Sequence, residues 1–204
     1  MKYSELSDKA KRKALDWWAS EGCWDYEFTL EDAKANAPEG FHIEDIMFSG
    51  FWSQGDGCAW RGICNMADWL DARTPTDPHL QHKFFVVREL MRDGWIDDRI
   101  RIDYQSRGGW RMSATDFGGV YTPSEDSVIK TGVLKGASVM AFMEDGAEAL
   151  ADELIEVIVA DAQDYADKIY DDLESDYNHH TSEENLIEIA DFNNWEFDED
   201  GKLI

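Results

Sequence analysis

The side chains able to do chemistry lie apart in this sequence. His79 and His82 stand one helical turn from each other, and His179 and His180 are adjacent. A metal centre needs three or four convergent ligands, and no cysteine pair completes either set. Cys23, Cys58 and Cys64 are odd in number and lack C-x-x-C spacing, so they read as free thiols of a reducing cytosol. No local signature makes Cys58 or Cys64 a nucleophile. Carboxylate pairs, the usual machinery of glycoside hydrolysis, carry no weight in a chain with 44 Asp and Glu, where two fall close by chance. The G-x-x-x-x-G-K-S/T phosphate loop is missing. These residues give no catalytic constellation, no metal site and no cofactor, and the chain is expected not to be an enzyme.

Two stretches hold more content. The first is Phe48-Ser49-Gly50-Phe51-Trp52-Ser53-Gln54-Gly55-Asp56-Gly57. Its aromatics can stack on a flat ligand, Gln54 and Asp56 can hydrogen-bond it, and the glycines let backbone come close. Together with Arg61 and Arg111, and with Arg99, Arg101 and Arg107 nearby in later hairpins, Trp52, Gln54 and Asp56 form a candidate site for a small molecule or nucleotide. The plainer reading is a hairpin whose turn needs glycine and whose aromatics fill a core.

The second stretch covers 144–177. Ala147, Leu150, Ala151, Leu154, Ile155, Ile158, Ala162, Tyr165, Ile169, Leu173 and Tyr177 recur at steps of three and four. That is the helical period, and it predicts one unbroken helix of roughly 50 Å with a single apolar stripe. Its one glycine, Gly146, is expected in the first turn. The other positions are nearly all acidic, and Lys168 is the only base. Asp161, Asp164, Asp167, Asp171, Asp172, Glu174 and Asp176 are the candidate partner-binding residues. A purely structural helix would intersperse bases, because like charges on neighbouring turns repel.

The elements that must position these residues follow from periodicity and punctuation. Ser4 or Ser7 can cap a first helix through Trp18, whose Lys9, Lys11, Arg12 and Lys13 read as a solvated basic face. A second helix is expected over 24–37, before Pro38 and Gly40. Strands are predicted over 43–52 and 57–65, then a short helix over 66–72. Asp77 can cap a helix reaching about 93, with Leu80, Phe84, Val87 and Met91 inward. Strands over 99–106 and 110–115 follow; 117–136 stays open between loop and strand, and 137–142 either begins the long helix or docks against it. Thr181 or Ser182 caps a last helix, with Glu184 as capping-box partner if Thr181 is the cap. It ends near Asn193-Asn194, and 195–204 closes as two extended pieces around Glu199-Asp200-Gly201. The fold class is α+β. A small antiparallel sheet built from hairpins packs against several helices, one of them the long acidic C-terminal helix. No linker composition marks a boundary, so 1–204 is expected as a single domain, its acidic helical part beginning at about 141.

Charge decides which partners are excluded. The formal net charge is −25, of which residues 1–140 carry −6 and residues 141–204 carry −19. Nucleic acid needs a basic footprint and anionic membrane needs one too, so neither is a direct partner. A basic protein is favoured. Residues 1–20 are polar and charged, unlike a signal peptide, and no run reaches the length of a membrane span.

Three stretches together resemble a known family: Ser4-Glu5-Leu6-Ser7 leading into Ala10-Lys11, the segment 46–57 around Phe48-Ser49-Gly50-Phe51-Trp52-Ser53-Gln54-Gly55-Asp56-Gly57, and Phe197-Asp198-Glu199-Asp200-Gly201-Lys202-Leu203. In order and spacing they are similar to a family of tailed-phage early proteins often labelled antitoxin-like. The resemblance spans nearly the whole chain and brings no established activity. It implies a protein working in the cytoplasm of an infected bacterial host. Charge and resemblance together give the expectation of an inhibitor of a host defence or nucleic-acid-processing protein, such as a nuclease, restriction complex or CRISPR effector, bound through a DNA-mimic-like helix. The alternative is a sponge for a small signalling molecule at the Trp52–Gly57 hairpin.

Overall fold

The computed structural model describes residues 1–21, 24–73, 81, 84–88, 91, 99–105, 111–116 and 137–204, with side chains for all of these except 21, 104–105, 111, 113–116 and 137–152. The chain gathers into two compact units, Met1–Glu31 with Asp171–Ile204, and Asp32–Tyr170.

The Asp32–Tyr170 unit holds an antiparallel sheet of four strands in the order β1-β2-β3-β4: β1 Phe41–Ser49, β2 Gly57–Asn65, β3 Arg99–Gln105 and β4 Arg111–Asp116. The hairpin β1–β2 pairs from Phe41 opposite Cys64 to Ser49 opposite Gly57, with a bulge between Ile43 and Asp45. Residues 50–52, expected in the first strand, belong to the turn instead. Period-two alternation puts Cys58, Trp60, Gly62 and Cys64 on one face, in register with Ile100 and Ile102 of β3. All of these except Gly62 are buried hydrophobic side chains. Gly62 is required by a close approach, since a Cβ there would overlap the carbonyl oxygen of His42. Asn65 ends β2 and caps the helix Met66–Ala72 by accepting from the Ala67 and Asp68 amides. Those bounds match the sequence expectation. Residues 84–88 are helical, with Phe84 and Val87 buried as their spacing required. Asp77, Leu80, His79, His82 and the stretch 117–136 lie outside the described residues.

The long helix is continuous from Ala137–His180, and it is called the acidic helix below. It contains the whole of 144–177. Leu154, Ile158, Ala162, Tyr165, Ile169 and Leu173 are buried, as the stripe predicted, and Ala166 joins them. The side chains of Ala147, Leu150 and Ala151 lie outside the description. Residues 137–142 begin the helix, so Gly146 sits inside it rather than in the first turn. That costs about 1 kcal/mol relative to alanine, which a helix this long absorbs. The Trp60 indole donates to the Ala162 carbonyl at 3.1 Å and the Tyr165 hydroxyl to the Ala33 carbonyl at 2.7 Å. These bonds fix the helix against the sheet and against the end of the helix Glu27–Ala35. That helix is shorter than the 24–37 expected.

In the other unit the chain termini meet. The Met1 ammonium donates to the Phe197 carbonyl and the Phe197 amide to the Met1 carbonyl, both at 2.9 Å. Tyr3, Leu6, Ala10, Ala14, Leu186, Ala190 and Phe197 form its core. The first helix runs Asp8–Glu21, with the Ser7 hydroxyl accepting from the Ala10 amide at 3.3 Å. The last runs Glu183–Phe192, and Ser182 rather than Thr181 is its cap. Phe197 and Leu203 bridge across the closing turn, where Gly201 has φ +83°. Of the basic run, Lys13 pairs with Asp200 at 2.8 Å and Lys11 stands 5.7 Å from the Tyr3 ring centre. Among the described residues no helix is long and apolar enough to cross a membrane.

Candidate interaction surface

The acidic helix sorts its carboxylates by angle. At 100° per residue, Asp164, Asp167, Asp171 and Glu174 advance by three and four along the side opposite Ile158, Ala162, Ile169 and Leu173. Glu156 continues the same line two turns earlier and was not among the candidate residues. Asp164, Asp167, Asp171 and Asp172 are exposed, and Glu174 is half-buried. Among the described residues none of these carboxylates has an ion pair. Asp167 accepts from the Gln163 side-chain amide at 2.8 Å, and Gln163 in turn accepts from the Met112 amide of β4 at 3.1 Å. Lys168 places its ammonium 5.6 Å from the Tyr165 ring centre. It is four residues after Asp164 and three before Asp171, on the same side of the helix, and forms no ion pair with either among the described residues. Neighbouring Cβ atoms on such a face are about 5–6 Å apart, so the field along it is dense.

Two of the candidate acids are occupied inside the fold. Asp161 accepts from the Trp69 indole at 2.9 Å and forms an ion pair with Arg73, and its side chain is only 18% exposed. The Arg73 guanidinium lies 4.5 Å from the Trp69 ring centre, so the three side chains close on one another. Asp176 accepts a hydrogen bond from the Thr29 hydroxyl and is half-buried. Neither belongs to the exposed face. The Asp161–Trp69–Arg73 cluster was missed by sequence reasoning, because Trp69 and Asp161 are 92 residues apart and nothing local couples them.

The hairpin candidates resolve into a built turn. The Asp56 carboxylate accepts from the Trp52 amide at 2.7 Å and the Ser53 amide at 2.5 Å, while the Asp56 amide donates to the Ser53 carbonyl at 3.1 Å. Gly55 takes φ +104°, which favours glycine. Phe48 stacks on Phe51 at 6.1 Å, and Phe51 meets Tyr170 of the acidic helix at 5.6 Å. The Tyr170 hydroxyl donates to the Gly50 carbonyl at 2.9 Å. Trp52 stands 77% exposed at the tip, and Gln54 is exposed beside it. Arg61 pairs with Asp45 of β1 at 3.1 Å. Arg99 is exposed and Arg101 half-buried on β3, the Arg111 side chain and Arg107 lie outside the description. Of the five candidate ligand residues, Asp56 and Arg61 therefore serve the hairpin itself.

The thiols and histidines do other work. Cys58 and Cys64 are buried free thiols. Burial first, and then the charge of Asp167 for Cys58 and of Asp161 for Cys64, pushes each up to about 12. A neutral buried thiol is a poor nucleophile. His180 stacks on Trp24 at 5.4 Å and receives the Trp18 indole on its carbonyl at 2.7 Å. Among the described residues no group of three His, Cys, Asp or Glu side chains could hold a metal ion. A cleft of about 230 Å³ is lined by Tyr3, Asp8, Lys11, Arg12, Leu15 and Glu183, and within it the Tyr3 hydroxyl donates to the Glu183 carboxylate at 3.1 Å. Comparison with protein-family models, with curated proteins and with solved structures yields no match.

Proposed function

We propose that this protein is a binding protein rather than an enzyme, and that the exposed carboxylates of the acidic helix engage a basic protein surface. In the setting implied by the resemblance to tailed-phage early proteins, the partner is a host defence or nucleic-acid-processing protein. Occupying its DNA-binding cleft inhibits it. The observation that carries this reading is the ridge Glu156, Asp164, Asp167, Asp171 and Glu174 on one helix, opposite the buried stripe and without an ion pair among the described residues. A cleft built to neutralise phosphates meets a similar field there. The small-ligand alternative is supported less, since Asp56 and Arg61 are engaged within the hairpin.

The test is capture from bacterial lysate at low and at high salt, with release by added duplex DNA. The wild-type protein should retain a nucleic-acid-binding protein that DNA displaces. The variant Asp164→Lys/Asp167→Lys/Asp171→Lys/Glu174→Lys should retain none of it. Equal capture by the variant removes the reading.

A further inference from the structure

The basic run of the first helix does not have a single fate. Lys13 pairs with Asp200, whereas Lys11 and Arg12 line the cleft of about 230 Å³. Asp8, Lys11, Arg12 and Leu15 recur at helical spacing, so they share one face of the first helix over about 10 Å of its axis. Tyr3 and Glu183 complete the lining. Asp8 stands within helical reach of both cations, yet neither Lys11 nor Arg12 forms an ion pair among the described residues. The Lys11 ammonium lies 5.7 Å from the Tyr3 ring centre instead. The Tyr3 hydroxyl donates to Oε1 of Glu183. Burial, then the hydrogen bond and charge of Glu183, hold that hydroxyl protonated. Glu183 is therefore oriented through one oxygen and keeps the other for a second donor.

We infer that this cleft binds a small zwitterion, an α-amino acid, with its carboxylate on Lys11 and Arg12 and its ammonium on Glu183 and Asp8. The site shares no residue with the acidic helix and stands apart from the reading of that helix. Arginine and lysine supply the donors a carboxylate needs, arginine as a two-pronged fork. An ammonium has donors only and needs carboxylate acceptors. Two cations and two carboxylates make the lining neutral. Charge then selects the ligand from both sides: the field of a chain at −25 opposes a net anion, and Lys11 and Arg12 oppose a net cation. A molecule carrying both charges escapes both penalties. Leu15 offers an apolar wall to its side chain. The volume is below the roughly 300–1,000 Å³ of sites for drug-sized ligands, which suits an amino acid. Occupancy joins the opening turn, the first helix and the last helix, so it should stabilise the unit in which the termini meet.

The experiment screens the full-length protein against the standard α-amino acids at millimolar concentration, since a ligand of the folded state alone raises the melting temperature. Each one that does so is titrated by calorimetry beside two analogues, the acid lacking its amino group and the amine lacking its carboxylate. At least one amino acid should bind, and each analogue should bind about tenfold more weakly, the worth of a hydrogen bond to a charged group. Lys11→Met and Arg12→Gln should each weaken the amino acid and its acid analogue by a similar factor and leave the amine as it was. Glu183→Gln should do the reverse. Lys9→Met removes the same charge outside the cleft and should change nothing. Arg12 is exposed, so its variant decides the matter even if Lys11→Met, which alters the contact with Tyr3, lowers stability. The inference is overturned if no amino acid binds, or if binding persists unchanged in Arg12→Gln and Glu183→Gln. It is equally overturned if either analogue matches the parent, which would make this a site for a simple anion or cation, or if Lys9→Met weakens binding as much as Lys11→Met, which would leave only the overall field.

Discussion

Asp161 and Asp167 are the same side chain on one helix, six positions apart, and the fold gives them opposite fates. Asp161 faces Trp69 and Arg73, whereas Asp167 faces water and Gln163. Removing Asp161 strands an indole donor and a guanidinium, so Asp161→Ala should cost about 1–3 kcal/mol in urea unfolding, the partial exposure of Arg73 setting the lower end. Asp161→Asn should recover part of that, because the amide oxygen still accepts from Trp69. Asp164→Ala should lie within about 0.5 kcal/mol of wild type. Nothing near Asp161 in sequence announces this difference, which depends on a partner 92 residues away. Asp56 lies within the turn that the glycines mark, but its side chain reads in the sequence as a ligand contact, and the structure makes it the acceptor of its own turn. Asp56→Ala should cost about 1 kcal/mol by freeing two amides. The thiols set a pH dependence with a fixed sign. In the fold Cys58 and Cys64 stay protonated up to about 12, while an unfolded thiol ionises from its ordinary value of 9.0. Above pH 9 the unfolded chain therefore binds fewer protons than the native one, and stability falls as pH rises toward 12. Below that window this contribution is complete. Chemical denaturation followed from pH 8 upward should show the decline, and Cys58→Ala/Cys64→Ala should make it shallower, the raised Tyr3 and Tyr26 hydroxyls keeping the remainder.

At the scale of elements, the long helix was the part most legible in the sequence, because eleven apolar residues at one period leave no other solution. Its start was less legible: 137–142 hold five apolar residues and Ser138, which suit a helix start and a docked segment equally well. The hairpin strands were found, β2 over its observed bounds, but the inner end of β1 was placed too far into the turn. The physical reason is Asp56, whose carboxylate holds the Trp52 and Ser53 amides and so withdraws them from the ladder. The next helix was expected over its observed bounds, Met66–Ala72, although the Asn65 cap that starts it was not read from the sequence. The two faces of the acidic helix should respond oppositely to substitution. Ile158→Ala or Leu173→Ala empties a fully buried position and should cost about 2–5 kcal/mol. Asp171→Lys should instead stabilise. Asp171 follows Asp167 by four residues and precedes Glu174 by three, while Lys168 stands three before it, so the reversal turns two repulsions into attractions and one attraction into a repulsion, each pair worth about 0.2–0.5 kcal/mol, and the balance stays favourable. Thermal melts of the three variants at low salt would separate the two classes, and a destabilised Asp171→Lys would mean that this carboxylate has a structural duty.

Across the whole molecule the governing quantity is the imbalance of charge, −25 with −19 of it in residues 141–204. Such a chain repels itself, and the repulsion is greatest where neighbouring carboxylates share one helix face. Salt should therefore act on folding and on binding with opposite signs. Raising ionic strength from about 0.01 M to about 0.1 M shortens the screening length from about 30 Å to about 10 Å, longer than the spacing of adjacent acids but shorter than the helix. The melting temperature should rise over that interval as self-repulsion is screened. Affinity for an oligoarginine peptide should fall over the same interval, because the attraction it screens is the one that binds. Replacing Asp164, Asp167, Asp171 and Glu174 by lysine should flatten both curves together, since one set of charges drives both. A melting temperature that rises with salt equally in wild type and in that variant would locate the repulsion elsewhere in the chain. The ridge would then be a passive solvated face, and its unmatched charge would carry no cost for a partner to relieve.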